Sequence, residues 1–233
     1  MNEGAHAVIA KADTTQEYFA SWEGDLERAK TLLADQKYYL EGCLVLSCHI
    51  GALASLRFPT LRDNEAYKSV VLQYSDMKDF YEQIDLLFFL QWPRSDFSGN
   101  GDFLKLKNHT DLAKKIQAAF GDENIIRNRR RYVSQHDFLA AVSQNPFPGF
   151  DQGNLEQYLP LFSSAELLYR YVRCRAVHAL RFPFVTRVHL ADGGIRYDDN
   201  HAITGSVLYK TALRILINLR SECVSKSKWP WEL

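Results

Sequence analysis

The segment 37–56 constrains the fold more than any other part of the sequence. It reads KYYLEGCLVLSCHIGALASL, contains no proline and is apolar on nearly every side. A helix that is apolar all round must be covered by other elements, which places it in the middle of a bundle. Apolar residues also recur at three- and four-residue steps over 16–33 and 205–225, which predicts amphipathic helices there. Residues 1–12 are expected to form a loose tail before a helix cap at 13–15.

The rest of the chain is predicted to be mostly helical as well. Segment 65–90 fits one or two helices, and shorter helices are expected over 110–120 and 135–142. Turn signals at 98–102 and 145–149 interrupt this pattern, so we interpret 96–153 as an insertion or cap. The stretches 185–190 and 195–197 flank an Ala-Asp-Gly-Gly turn and predict a small β-hairpin. The expected fold is a single all-α domain over 1–233, a helical bundle with this hairpin and an irregular insertion.

The charge balance excludes a protein that binds nucleic acid through a global basic field. Lys and Arg together number 28, as do Asp and Glu, so any RNA contact needs a local patch. The run Arg127-Asn128-Arg129-Arg130-Arg131 is one candidate, with Arg129 and Arg130 as possible substrate contacts. Tyr132 could stack on a base. A solvated face is the more common role of such a run.

The four cysteines, Cys43, Cys48, Cys174 and Cys223, form no CxxC pair. They fall within apolar helical patterns, so we expect buried free thiols in a reducing compartment. The N-terminus carries no hydrophobic signal region, and no apolar run of membrane-spanning length is expected. These observations predict a cytoplasmic protein that neither binds a membrane nor needs a cofactor.

The helix predicted over 166–182, ELLYRYVRCRAVHALRF, carries the chemistry. Arg173 and His178 stand in it with four residues between them. Histidine is the side chain best suited to proton transfer near neutral pH, and arginine is a permanent cation that can bind a phosphate. A separation of five residues is about 140° of rotation on an ideal helix. Convergence on one phosphate therefore needs a long reach by Arg173, a bend in the helix, or a second copy of it.

The pattern Arg-x4-His late in a helical chain, together with the stretch 38–57, resembles the HEPN superfamily. The resemblance implies a metal-independent ribonuclease that builds its cleft at the interface of a homodimer. His178 would act as general acid and base, and Arg173 would position the phosphate of an RNA substrate. By its spacing, three residues before His178, Arg175 could be an auxiliary phosphate contact, although a solvated surface arginine is the more common role. The same resemblance implies a toxin–antitoxin or phage-defence setting, with an antitoxin or nucleotidyltransferase as partner.

Cys174 departs from the family pattern, which usually has a polar residue, often Asn, at this position. A thiol is a poor hydrogen-bonding substitute for an amide. A second interpretation is therefore a catalytically inactive HEPN-like module that binds a nucleotide, RNA or a partner protein. A third is a helical scaffold in which Arg173 pairs with an acidic residue and His178 is a partly buried histidine.

Two further sets of residues could bind a metal, although another role is favoured for each. Asp79, Glu82 and Asp85 recur every three residues, which predicts an exposed acidic stripe on a helix before it predicts a cation site. His49 lies near Cys43 and Cys48, but three ligands on one helix cannot all face one point. We interpret His49 as a core residue, or as a second histidine near a dimer cleft.

Overall fold

In the computed structural model, the described residues are 3–94, 101–144, 146–174, 185–189, 191, 195–199 and 203–233. For 3–13, 185–189 and 195–199 only the backbone is described. The fold is mostly helical, as predicted. The chain forms two compact units. Unit 1 comprises Met1–Lys78 and Leu168–Leu233, and unit 2 comprises Asp79–Leu167.

The α-helices of the described residues are α1 Glu3–Ala34, α2 Tyr39–Arg57, α3 Asp63–Tyr74, α4 Lys78–Glu82, α5 Leu86–Gln91, α6 His109–Phe120, α7 Glu123–Arg129, α8 Gln135–Ser143, α9 Gln152–Tyr158, α10 Ser164–Leu167 and α11 Gly205–Lys226. The strands are β1 Ile84–Asp85, β2 Tyr132–Val133, β3 Val185–His189 and β4 Ile195–Asp199. A π-helical turn, Leu168–Arg173, follows α10 directly in the chain.

Helix α2 is the central element of unit 1, as its apolar composition predicted. It packs against α1, α3 and α11 and buries Leu46, Ile50 and Leu53 completely. Gly42 allows the close approach of α1, because a Cβ at this position would lie 2.9 Å from Leu33 Cδ2. The burial of three aliphatic side chains stabilises unit 1 by about 1.5–3 kcal/mol for each.

By length and composition, the stretch Gln36–Arg57 could also cross a membrane, since an 18-residue window within it has a mean hydropathy of 1.4. The expectation that no apolar run reaches membrane-spanning length was wrong on this point. Half of that window is buried inside the fold. A core helix of a soluble bundle passes the same test, so this stretch is weak support for a membrane span.

Helix α1 begins earlier than predicted. Its backbone is helical from Glu3, so the loose tail expected over 1–12 is wrong for the described part of that segment. The sequence from Glu3 to Ala12 is rich in alanine, the residue with the highest helix propensity. The helix therefore continues through Asp13–Thr15, which had been interpreted as its cap.

The hairpin near the C-terminus is confirmed. Strands β3 and β4 pair antiparallel, with Arg187 opposite Tyr197. Elsewhere, the segment 65–90 forms more elements than the one or two helices expected. Helix α3 ends at Tyr74, and α4, β1 and α5 follow. A positive φ of 57° at Asp76 turns the chain between α3 and α4.

Unit 2 is held together by aromatic side chains. Its buried rings are Phe88, Phe89, Trp92, Phe103, Phe138 and Phe162. They meet at centroid distances of 4.8–6.4 Å, mostly edge to face, the arrangement that aromatic pairs prefer. Helices α6 and α8 confirm the helices predicted over 110–120 and 135–142. The segment 96–153 lies within this unit, which extends further on both sides.

Candidate functional site

The candidate site is centred on Arg173, the last residue of the π-helical turn. Leu168, Tyr171 and Val172 of this turn are buried, as the predicted apolar stripe requires. They fix the backbone in unit 1 and leave the arginine on a partly exposed side. π-Helical turns are rare and are found frequently at functional sites.

The guanidinium of Arg173 forms a two-pronged ion pair with Asp63, the first residue of α3. Nη1 lies 2.7 Å from Oδ2, and Nη2 donates to Oδ1 at 2.9 Å. This fork uses both carboxylate oxygens and is among the stronger ion-pair geometries. The side chain of Arg173 is 18% exposed and that of Asp63 is 46% exposed. The carboxylate is thus the more exposed partner of the pair.

Tyr169 completes the cluster. Its hydroxyl donates to Oδ2 of Asp63 at 2.7 Å, the same oxygen that faces Nη1 of Arg173. The ring of Tyr169 lies 5.5 Å from the guanidinium carbon, within cation–π distance. On the other side is Gly51 of α2, whose added Cβ would lie 3.8 Å from Nε of Arg173. The guanidinium is therefore enclosed between a helix backbone and an aromatic ring.

The electrostatics of the cluster keep Arg173 charged. Burial would lower the pKa of Arg173, but its contact with Cys174 and the charge of Asp63 outweigh that effect and raise the pKa. Burial and the hydrogen bond to Asp63 raise the pKa of Tyr169. Tyr169 is consequently a neutral donor at physiological pH. At neutral pH the cluster combines a cation, a carboxylate and a phenol.

Two of the predicted motif residues are described and two are not. Cys174 is half-buried, and its sulfur accepts a hydrogen bond from Nη1 of Arg173 at 4.0 Å. Arg175 and His178 lie outside the described residues. The scaffold interpretation predicted that Arg173 pairs with an acidic residue, and the pair with Asp63 confirms this part of it.

Sequence reasoning missed Asp63 and Tyr169. Tyr169 precedes Arg173 by four residues, a spacing that brings side chains together on a helix, and this signal was available. Asp63 is 110 residues from Arg173 in the chain. No pattern in the sequence connects the two residues, so only the packing of α3 against the π-helical turn reveals the pair.

The basic run Arg127–Arg131 divides into an exposed and an internal part within unit 2. Arg129 and Arg130 are exposed, and Arg130 lies 5.0 Å from the centre of the Phe120 ring. Arg131 instead pairs with Asp85, which is completely buried. The run is therefore not one uniform basic patch, because Arg131 balances an internal charge.

The acidic stripe predicted at Asp79, Glu82 and Asp85 is wrong. Asp79 and Glu82 are exposed on α4, and they line a pocket of about 460 Å³ with Ser134. Asp85 lies beyond the end of α4, in β1, where it accepts a hydrogen bond from the Phe88 backbone at 3.0 Å. The intervening strand removes the helical alignment on which the stripe depended.

His49 is a core residue, in line with one of its two interpretations. It is 7% exposed, and its ring meets Trp22 edge to face at 4.8 Å. Its Nε2 has no hydrogen-bond partner among the described residues. Burial lowers its pKa to about 4, so the imidazole is neutral at pH 7.

The cysteines differ in exposure more than was predicted. Cys43 and Cys223 are buried, but Cys48 is exposed and Cys174 is half-buried. The expectation of four buried thiols was therefore wrong for two of them. Within the described part of the chain, no group of three His, Cys, Asp or Glu side chains could hold a metal ion.

The chain has been compared with protein-family models, curated proteins and solved structures. These comparisons find no match.

Proposed function

We propose that this chain is a metal-independent RNA endonuclease of the HEPN type, in which Arg173 binds the scissile phosphate and His178 transfers the proton. The observation that carries the proposal is the fork at Arg173. Both terminal nitrogens of this arginine are directed at two oxygens of one anion, at 2.7 and 2.9 Å. A phosphate presents two oxygens to an arginine fork in the same way.

The surroundings of Arg173 support this role. Its side chain is 18% exposed, so its charge acts in a medium of lower dielectric constant than bulk water. The buried residues of the π-helical turn hold its backbone, which limits the conformational entropy lost when a phosphate binds. A functional side chain on such a fixed element is more precisely placed than one on a loop.

The proposed reaction is an intramolecular transesterification, in which the phosphate passes from O5′ of one nucleotide to O2′ of the preceding one and the downstream strand is released. His178 accepts the proton of a ribose 2′-hydroxyl, and the resulting 2′-oxygen attacks the adjacent phosphorus. A bond forms from O2′ to phosphorus, and the bond from phosphorus to O5′ breaks. The leaving 5′-oxygen receives a proton from a second acid, the products being a 2′,3′-cyclic phosphate and a 5′-hydroxyl. Arg173 stabilises the charge that develops on the phosphate.

The second acid is supplied by the homodimer that we include in the proposal. Two copies of the motif helix around a two-fold axis bring two His178 side chains to one cleft. Positions five residues apart on a helix are rotated by about 140°, so Arg173 and His178 of one copy do not share a face. In the dimer, Arg173 of one copy and His178 of the other can contact the same phosphate. We place the enzyme in the cytoplasm, in a toxin–antitoxin or phage-defence setting.

The test is an RNA cleavage assay in chelator with wild type, Arg173→Ala and His178→Ala. We expect the wild type to leave cyclic-phosphate or 3′-phosphate ends. Both variants should lose activity by about 100-fold or more, His178→Ala through the lost proton transfer and Arg173→Ala through the lost stabilisation of charge on the phosphate. Arg28→Ala removes an exposed arginine of α1, outside the motif and the basic run, and should cleave normally. Unchanged cleavage by folded His178→Ala would contradict the proposal.

The second candidate is a catalytically inactive HEPN-like module that binds RNA, a nucleotide or a partner protein. The close approach of a thiol to Arg173, where the family has a polar side chain, favours it. This candidate predicts binding that depends on Arg173 without cleaved product. Cys174→Asn restores the family pattern, so a gain of cleavage in this variant would identify Cys174 as the cause of inactivity.

A further inference from the structure

We infer that Asp63 is an intramolecular gate on Arg173. Its carboxylate occupies the fork that an RNA phosphate would take, and it has to leave before RNA binds. The identity of the incoming ligand rests on the proposed function. The gate itself rests on the geometry of Asp63, Tyr169 and Arg173.

The exposure of the two charged residues indicates from which side an anion approaches Arg173. The side chain of Asp63 is 46% exposed, whereas that of Arg173 is 18% exposed. An anion that arrives from solvent at this cluster therefore meets the carboxylate before it meets the guanidinium. Because like charges repel, the carboxylate opposes binding until it moves away.

Tyr169 stabilises the position in which Asp63 covers Arg173. Its hydroxyl donates to Oδ2 of Asp63, the oxygen that also lies 2.7 Å from Nη1 of Arg173. The Tyr169 hydroxyl and Nη1 of Arg173 thus both bind Oδ2 of Asp63, and the carboxylate loses both contacts when it moves away. When Asp63 leaves, the Tyr169 hydroxyl becomes available to donate to the phosphate oxygen that replaces it.

The gate selects for ligands with several phosphates. A carboxylate and a single phosphodiester each carry one negative charge, so exchanging one for the other gains little electrostatic energy. A terminal phosphate with a second charge gains additional attraction to Arg173, and a strand with further phosphates gains additional attraction to each further cation that it reaches. The site should therefore discriminate against small monoanions such as chloride and acetate.

The first experiment measures binding alone, by fluorescence anisotropy of a labelled single-stranded RNA whose 2′-hydroxyls are methylated, so that the proposed reaction cannot cleave it. We expect Asp63→Asn to bind about tenfold more tightly than wild type, the order expected for loss of one partly exposed charge-assisted pair. Tyr169→Phe should bind with an affinity close to that of wild type, because it removes one hydrogen bond from the closed gate and one from the bound phosphate. Circular dichroism confirms that each variant is folded.

The control is Asp25→Asn. Asp25 is also 46% exposed and also pairs with an arginine, Arg28, in the same unit. This variant removes the same charge at a site away from Arg173. The gate predicts no comparable gain in Asp25→Asn and no gain for Asp63→Asn in an Arg173→Ala background.

The second experiment replaces RNA with inorganic phosphate and follows the melting temperature against sodium chloride at equal ionic strength. We expect phosphate to stabilise Asp63→Asn more than wild type, and this difference to vanish without Arg173. If this holds while no variant binds or cleaves RNA, the gate stands and the proposed function fails.

Three results would overturn the gate. One is weaker RNA and phosphate binding by Asp63→Asn, which would make Asp63 a positioning residue that holds Arg173 in place. Another is an equal gain in Asp25→Asn, which would reduce the effect to general charge. The third is an unchanged response of Asp63→Asn to both ligands. In each case cleavage by the wild type could still be intact, so the two failures are separable.

Discussion

Asp85 is a completely buried carboxylate in unit 2, and Arg131 balances its charge. Three hydrogen bonds of 2.9–3.1 Å join the two side chains. Asp85 also caps α5 through the backbone of Phe88. A buried charge without its partner costs far more than an exposed one, because the remaining charge stays desolvated. This pair is therefore a sensitive point of unit 2.

We predict that Asp85→Asn lowers the free energy of unfolding by about 3 kcal/mol, because Arg131 loses the buried counter-charge of Asp85. Urea denaturation followed by circular dichroism measures this change. Asp79→Asn removes an exposed carboxylate from the same unit and should change stability by less than about 0.5 kcal/mol. Equal effects of the two substitutions on the free energy of unfolding would show that the buried pair contributes no more to stability than an exposed carboxylate does.

His49 gives a prediction for pH. Its pKa in the folded state is about 4, below about 6.5 for an unfolded histidine. Between these values the unfolded chain binds a proton that the folded chain does not, so stability is lost as pH falls. The loss should reach about 2–3 kcal/mol between about pH 7.5 and about pH 4.5.

The measurement is the difference in that pH dependence between wild type and His49→Gln, which cannot titrate. We expect His49→Gln to lose less stability than wild type over this range. His136→Gln removes a histidine that is 90% exposed and should behave like wild type. An NMR titration that places the pKa of His49 near about 6.5, the value for an unfolded histidine, would contradict the prediction.

Among the elements, helices α1 and α2 show how glycine position decides the effect of a side chain. Gly42 of α2 faces α1, where an added Cβ would lie 2.9 Å from Leu33 Cδ2 and 3.0 Å from the Leu33 backbone nitrogen. Gly24 is exposed on α1, and its added Cβ would meet no described atom within 4 Å. Both glycines weaken their helix, but only Gly42 is required by packing.

We predict opposite signs for two chemically identical substitutions. Gly24→Ala should stabilise by about 0.5–1 kcal/mol through helix propensity. Gly42→Ala should destabilise by about 1–2 kcal/mol, because overpacking against the backbone of α1 outweighs the same propensity gain. Thermal and urea unfolding of the two variants give the comparison. A stabilised Gly42→Ala would mean that α1 and α2 can separate without cost.

For the molecule as a whole, the balance of 28 basic and 28 acidic residues limits how RNA can bind. Long-range attraction to a polyanion is weak at zero net charge. Binding must come from a few local contacts, which for the proposed function include Arg173, Arg175 and the exposed Arg129 and Arg130. The salt dependence of binding reports how many phosphates are neutralised.

The slope of log affinity against log salt is negative, and we predict that Arg129→Ala/Arg130→Ala reduces its magnitude by about 1.4, or about 0.7 for each phosphate that is no longer neutralised. The measurement is fluorescence anisotropy with the same labelled single-stranded RNA as above, over a range of salt concentrations. Lys105→Ala/Lys114→Ala removes two exposed cations that pair with acidic neighbours, and it should leave the slope unchanged. Equal slopes for all three proteins would exclude Arg129 and Arg130 from RNA binding.

Local sequence patterns were enough to predict the helical class of this protein, the central place of α2 and the hairpin near the C-terminus. Helical periodicity and turn residues act over a few positions, so these features can be predicted without knowledge of the packing. Arg173 was selected by its side-chain chemistry and by the resemblance of its motif to a known family, and its role stays a prediction. Periodicity failed where the pattern crossed an element boundary, as at Asp85, whose spacing from Glu82 fits a helix that ends before it.

Which charges meet across long separations in the sequence depends on tertiary packing alone. The pairs Asp63–Arg173 and Asp85–Arg131 join residues 110 and 46 positions apart, and no local rule links them. The same holds for the buried His49 and the exposed Cys48, neighbours in sequence whose environments depend on which helix packs against them. Electrostatic partners are chosen by distance in space and by desolvation, and both are properties of the packed fold.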